Sequence, residues 1–272
     1  MPAIPPSITR HVFTLLWVVV APIPPTATAA FPLPDCDAFS RGQLRRALLA
    51  TVRVDAERAS GTGTLVGRRG AAGHLILTAK HVLKGKVVRI SSFTEASYPA
   101  PAQSFTGTIE VLAVSASADV ALLLLTTDRP MPESVPICPP GLEPRGAFDV
   151  FSVGCNEPAP TLRHGRTLGT TAVAGLSGTF WKVSMRADPG RSGGALVDGR
   201  GFLVGVCYGI DNAGNGIYQG LPEIREVCER AGASSLSSNG PPSDGFDADV
   251  FALLAKILVG KALVSFFLRR RV

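Results

Sequence analysis

A serine in a glycine-rich turn is the first candidate for chemistry in this sequence. Residues 188–194 read DPGRSGG and precede the apolar run 195–197. A nucleophilic serine needs an exposed hydroxyl on a tight turn, near backbone N–H groups that hold the negative oxygen of a tetrahedral intermediate. Gly190, two residues before Ser192, can turn its amide inward where a side chain would obstruct it. Taken alone, the pattern also fits an ordinary glycine-rich hairpin.

A histidine follows a strand-like segment upstream. Residues 75–83 read LILTAKHVL, so His81 comes just after an apolar run and the small residues Thr78 and Ala79. An imidazole titrates near neutral pH and acts as a general base when it reaches across a cleft. His74 and His164 lack this context, and we interpret them as structural.

An aspartate stands at the head of a third apolar run. Asp119 precedes residues 120–125, which read VALLLL. Burying a carboxylate there is costly unless it finds partners. One that accepts a histidine N–H fixes the imidazole tautomer and stabilises the imidazolium during catalysis. On this motif alone, an aspartate that caps a strand is the simpler interpretation.

The elements that position these residues are mostly strands. Between residues 47 and 220 the chain consists of short apolar runs separated by Gly, Pro, Asn and Asp. Many strands at regular spacing indicate a β-sandwich or a β-barrel, and periodicity does not choose between them. Helical patterns are confined to 37–46 and 222–231. The predicted strands include 47–54, 64–66, 75–78, 87–90, 108–114, 120–125, 148–153, 180–184, 195–197 and 202–207.

The three candidate residues occur in the order His81, Asp119, Ser192, at separations of 38 and 73 residues. With these motifs the sequence resembles the trypsin/chymotrypsin-like serine protease family, nearest to its compact bacterial branch, which is HtrA-like or glutamyl-endopeptidase-like. The resemblance covers about residues 45–230. It includes three further segments that look like the family's strands, 61–66 (GTGTLV), 204–209 (VGVCYG) and 216–218 (GIY).

The resemblance implies an all-β fold, with two six-stranded antiparallel β-barrels and short N- and C-terminal helices. It implies a serine endopeptidase that hydrolyses polypeptides through an acyl-enzyme and uses no cofactor. Ser192 would attack, His81 would act as base and Asp119 would orient it, while the amides of Gly190 and Ser192 would form the oxyanion hole. A weakly active or inactive protease-fold module that binds peptides is the alternative, and an esterase is a third hypothesis.

The resemblance also implies a substrate pocket. Arg186 lies six residues before Ser192, at the position that sets the charge of the pocket base in the trypsin branch. Cleavage after Lys or Arg is therefore not expected. A small or medium apolar P1 residue is predicted first, and an acidic one second because of Arg186. The other predicted pocket residues are Ala187, Cys207, Tyr208, Gly209 and Gly216, of which Cys207 is interpreted as a buried thiol.

Arg191 departs from the family pattern, which usually has Asp or Asn before the nucleophile. In the trypsin branch that Asp pairs with a newly cut N-terminus, and an arginine cannot make this pair. Activation of that kind is therefore not expected, and Asp188 or a nearby carboxylate is predicted to pair with Arg191.

Composition excludes several classes of protein. A 46% hydrophobic chain of 272 residues is not disordered throughout. The net charge is +6, but no basic stripe is interleaved with aromatics, so nucleic-acid binding is not expected. No C-x-x-C pair occurs, which argues against a structural zinc site. The five cysteines allow at most two disulfides within the chain, and the resemblance to some relatives suggests a pair between Cys36 and Cys138.

The two ends differ from the middle. Residues 1–29 predict a signal peptide, with Arg10, an apolar core and small residues before Ala30, and hence a secreted or periplasmic protein. The predicted protease domain is 30–232, with its barrel boundary near 130–145, followed by a linker at 233–247. The segment 248–272 has an apolar run, 250–268, and a basic end like those of membrane anchors, although Lys256 and Lys261 oppose insertion. No PDZ domain is expected.

Overall fold

The structure is a computed structural model that describes Leu33, residues 38–156 and residues 159–237. The predicted signal peptide, Cys36 and the apolar segment 248–272 lie outside these ranges. Within the described ranges, no helix is long and apolar enough to cross a membrane.

The first half of the described chain forms a seven-stranded antiparallel sheet. Its order is β5-β4-β1-β2-β3-β7-β6, and its curl brings β4 into contact with β6, although no ladder joins them. The strands are β1 (Thr51–Ala56), β2 (Ala59–Arg69), β3 (Gly73–Thr78), β4 (Val87–Ser92), β5 (Gln103–Phe105), β6 (Ile109–Val114) and β7 (Ala121–Thr126).

The second half is a closed six-stranded barrel with the order β10-β13-β12-β11-β8-β9. Residues 127–148 connect the two halves. The strands are β8 (Asp149–Gly154), β9 (Thr161–Thr171), β10 (Phe180–Val183), β11 (Ala195–Asp198), β12 (Leu203–Ile210) and β13 (Gly216–Gln219).

Two helices flank the strands. Helix α1 (Arg41–Ala50) begins at a capping box in which the Ser40 and Gln43 side chains satisfy each other's backbone N–H groups. Helix α2 (Leu221–Arg230) has proline in its first turn and buries Ile224 and Val227. A short 3-10 helix (Ser234–Ser237) follows.

The prediction of an all-β, chymotrypsin-like double barrel with two terminal helices is confirmed. The first half differs in detail, because it has seven strands in an open ladder. The predicted strand 47–54 is wrong over 47–50, where the chain is still helical. Ala47 to Ala50 are strong helix formers that continue the capped helix. Their apolar side chains belong to the buried face of α1 and not to a strand.

Candidate active site

His81 lies in a 3-10 turn, Lys80–Val82, directly after β3. Its backbone N–H donates to Asp119 Oδ1 at 2.9 Å, and its Nδ1 lies 2.6 Å from Asp119 Oδ2. The carboxylate is therefore bound twice by one residue. An Nδ1–H that donates to a carboxylate leaves Nε2 as the acceptor of the ring.

Strand pairing brings Asp119 to this histidine. Strand β3 pairs with β7 so that Thr78 lies opposite Ala121, which places the end of β3 beside the start of β7. Asp119 precedes β7 and is buried, with only 5% of its surface exposed. Its own backbone N–H donates to Oε1 of Gln219 in β13 at 3.3 Å, and Gln219 Nε2 donates to the Thr179 carbonyl at 3.2 Å. The second barrel therefore binds the backbone of Asp119 through the Gln219 side chain.

Ser192 belongs to a turn that precedes β11, which we call the Ser192 loop (residues 188–194). Its carbonyl accepts the Thr62 N–H of β2 at 2.8 Å. A Cβ on Gly61 would lie 2.8 Å from the Ser192 carbonyl oxygen and 2.6 Å from a methyl of Val82. Only glycine fits between the histidine turn and the Ser192 loop, so β2 fixes one against the other.

Gly193 gives a second contact between the two halves. A Cβ there would lie 2.5 Å from Thr78 Oγ1 and 2.9 Å from the Ala79 nitrogen, just before His81. The Gly193 N–H donates to the Cys207 carbonyl at 2.8 Å, and its φ of +88° suits glycine. The Ser192 loop is therefore packed against the end of the histidine strand.

The backbone around Gly190 is arranged to leave two amides available. Gly190 has φ +91°, and a Cβ there would lie 2.6 Å from the Cys155 carbonyl oxygen. Thr62 Oγ1 donates to the Gly190 carbonyl at 2.7 Å and accepts the Cys155 N–H at 2.8 Å. Among the described residues, no oxygen accepts the N–H of Gly190 or of Ser192. These are the donors that an oxyanion requires.

Arg191 is fully buried, at 0% exposure, and its guanidinium donates only to neutral oxygens of described residues. Burial lowers the pKa of Arg191. The predicted pairing of Asp188 with Arg191 is wrong. Asp188 instead bonds to Arg186 at 2.7 Å and forms an ion pair with Arg163. The Asp188 side chain is 26% exposed, whereas Arg191 turns inward toward β8 and β9.

The predicted pocket residues lie on three neighbouring segments. Arg186 and Ala187 precede the Ser192 loop, while Cys207, Tyr208 and Gly209 lie in β12 and Gly216 begins β13. The Arg186 side chain is 63% exposed and bonded to Asp188, so it is solvated rather than held at the closed end of a pocket. Ala187 is buried, and the Tyr218 ring lies 2.8 Å from a Cβ placed on Gly216.

Beyond Cys207, β12 has a neighbouring strand on one side only within the described part of the chain. Strand β11 pairs with β12 up to Val206, whereas β13 continues alongside Gly209 and Ile210. The Tyr208 ring lies edge-on to the His81 ring, with 5.9 Å between centroids. An extended peptide placed along this open edge would run beside His81 and the Ser192 loop.

The four described cysteines are buried, free thiols. Cys138 Sγ lies 3.3 Å from the Leu142 carbonyl oxygen, and its predicted disulfide partner, Cys36, lies outside the described residues. Burial raises the pKa of Cys207 to about 12, which argues against a nucleophilic thiolate. In the described part of the chain, no three His, Cys, Asp or Glu side chains are grouped to hold a metal ion.

Sequence reasoning missed two residues that shape this site. Thr62 and Gln219 are polar and fully buried, and each bonds the backbone of a candidate residue or its neighbour. Thr62 lies in the Gly-Thr-Gly-Thr run, where a polar side chain flanked by glycines inside a buried strand was an available signal. Gln219 follows Tyr218 with no such pattern.

A family model for the trypsin-like peptidase domain matches residues 61–206, which is more than half of the chain. The chain belongs to the trypsin-like peptidase family. The matched range of this trypsin-like peptidase contains His81, Asp119 and Ser192. Among curated proteins, no sequence matches the chain.

Solved structures with the same fold include the Rv3671c protease of M. tuberculosis in two forms. The trypsin-like peptidase aligns with the active form at a TM-score of 0.57 and 20% identity, covering 84% of this chain and 98% of that one. It aligns with the inactive form at 0.54 and 21% identity, covering 74% and 98%. At this identity the likeness supports the fold alone.

Proposed function

We propose that this trypsin-like peptidase is a serine endopeptidase that uses His81, Asp119 and Ser192. The observation that carries the proposal is the close packing of the Ser192 loop against Thr78 and Ala79, two residues before a histidine bound twice by a buried aspartate. A hydroxyl on one side and an oriented imidazole on the other are the parts needed for acyl transfer.

In the proposed mechanism, Ser192 Oγ attacks the scissile carbonyl and His81 Nε2 takes its proton. Asp119 keeps the ring proton on Nδ1 and stabilises the imidazolium that forms. The amides of Gly190 and Ser192 hold the oxyanion, where one donor contributes about 3 kcal/mol to the transition state. His81 then protonates the leaving amine, and water cleaves the acyl-enzyme by the same route.

We propose that the substrate is a polypeptide bound along the open edge of β12. The Arg186–Asp188 ion pair and the Tyr218 ring beside Gly216 support a small or medium apolar P1 residue over an acidic one.

We further propose that the protein acts outside the cytoplasm, which rests on the N-terminal sequence alone, and that 250–268 attaches it to a membrane.

Labelling with a serine-directed fluorophosphonate tests the nucleophile. The wild-type protein is expected to be labelled, and Ser192→Ala is not. Ser104→Ala, at an exposed serine of β5, is the matched control and should be labelled like the wild type. A folded wild-type protein that stays unlabelled would favour the alternative, a peptide-binding module without turnover. Cleavage of a peptide library then separates a peptidase from an esterase and measures the P1 preference.

A further inference from the structure

Arg191 is the side chain that the proposed mechanism does not use, although it adjoins the proposed nucleophile. It is among the largest fully buried side chains of the described chain, and none of its hydrogen bonds reaches a carboxylate there. Burying an arginine without an anionic partner is costly, so each hydrogen bond that it makes must offset part of that cost.

The guanidinium binds two neighbouring strands. Nη2 donates to the Ser152 carbonyl in β8 at 2.8 Å. Nη1 donates to Thr161 Oγ1 at 2.9 Å and the Thr161 carbonyl at 3.1 Å, at the start of β9, and to Asn156 Oδ1 at 3.0 Å between the strands. A planar group with several fixed donors can satisfy such a set at once, whereas a lysine ammonium cannot.

The backbone of the same residue organises the Ser192 loop. The Arg191 N–H donates to the Asp188 carbonyl at 3.1 Å, and its carbonyl accepts the Gly194 N–H at 2.9 Å. A Cβ on Gly154 would lie 2.9 Å from Arg191 Cα, so the backbone is pressed against the end of β8. Side chain and backbone together join the loop to the β8–β9 connection.

We propose that Arg191 is a positioning residue, which fixes the Gly190 and Ser192 amides by anchoring the Ser192 loop to β8 and β9. The role in catalysis rests on the proposed function, whereas the anchoring itself does not. Because the anchor uses hydrogen bonds of fixed geometry, charge alone does not supply it.

The test compares Arg191→Met, Arg191→Lys and Thr161→Val in the full chain. Arg191→Met removes charge and donors at similar volume, a replacement that buried charges often tolerate. Arg191→Lys keeps the charge alone. Both should lower the rate of fluorophosphonate labelling about 100-fold, the effect of misplacing an oxyanion donor. Thr161→Val removes one acceptor from the other side and should lower the rate roughly tenfold, the equivalent of one hydrogen bond to a charged group.

Amide hydrogen exchange gives a readout that is independent of activity. In the arginine variants, amides of residues 188–194 should exchange faster, while those of β3 and β7 should not change. For an active enzyme, kcat should fall with KM little changed. Arg166→Met, at an exposed arginine of β9, and Thr170→Val, at an exposed threonine there, are the matched controls and should behave like the wild type.

Three results would overturn the proposal. These are normal labelling by folded Arg191→Met, normal labelling by Arg191→Lys, and faster exchange spread over the whole second barrel. If the wild-type protein itself is not labelled, the proposed function fails separately. The exchange comparison then still decides the anchoring, since unchanged exchange at 188–194 in Arg191→Met contradicts it.

Discussion

The two sides of the candidate site are held in place by different physical means. On the first sheet, a single buried carboxylate binds His81 twice, through its backbone N–H and its ring Nδ1. On the second barrel, the Ser192 loop is fixed by glycines with positive φ and by a buried arginine that donates to neutral oxygens. One side depends on one charge, and the other on many backbone contacts.

The two sides should therefore be sensitive to different kinds of substitution. A side chain held by one carboxylate loses its orientation when that carboxylate becomes neutral, while its backbone stays in place. A loop held by close approach loses its geometry when a Cβ is added, while its charges stay the same. Substitutions that change only charge or only shape should therefore separate the two sides.

The largest effect is expected for Asp119→Asn. Oδ1 accepts the His81 backbone N–H, so the asparagine oxygen should stay there and its amide should face Nδ1. The ring proton then moves to Nε2, where the base is needed. We expect kcat to fall about 10⁴-fold with little change in thermal unfolding. Asp149→Asn, at a half-exposed carboxylate of β8, is the control. A kcat within tenfold of wild type would contradict the assigned role of Asp119.

Gly190→Ala tests the other side by shape alone. Its φ of +91° disfavours alanine, and the new Cβ would meet the Cys155 carbonyl oxygen at 2.6 Å. The loop must shift, and kcat should fall about 100-fold, as for a lost oxyanion donor. Gly146 has a similar φ of +69°, and an added Cβ there would meet nothing within 4 Å. Gly146→Ala therefore measures the effect of backbone strain without a steric clash. Equal activity losses in the two variants would show that close approach at Gly190 is unimportant.

A smaller effect is expected where the second barrel supports the first. Gln219→Met removes the acceptor of the Asp119 N–H, and an unpaired buried N–H costs about 1 kcal/mol or more. We expect kcat to fall roughly fivefold, which is the equivalent of that free energy. Gln103→Met, on the edge strand β5, is the matched control. Steady-state kinetics on both variants decides whether this contact matters, and an unchanged kcat in Gln219→Met would show that it does not.

Individual elements show where sequence patterns were sufficient. The apolar strands around the candidate residues were predicted close to their observed positions, because short apolar runs bounded by turn residues mark buried strands. Strand β9 was missed, since its exposed face is rich in Arg, Thr and His and it contains no apolar run. The inward turn of Arg191 was missed too, because local sequence favoured the nearby Asp188.

By itself, the sequence determined the order of the candidate residues, the strand-rich fold and the departure at Arg191, because these depend on residue type and local spacing. Tertiary structure alone decided that Gln219 reaches Asp119 across 100 residues, that Asp188 pairs with Arg163 and Arg186, and that the guanidinium of Arg191 binds β8 and β9. A hydrogen-bond partner is decided by which groups the folded chain brings within hydrogen-bonding distance, and that distance depends on the packing of the whole fold.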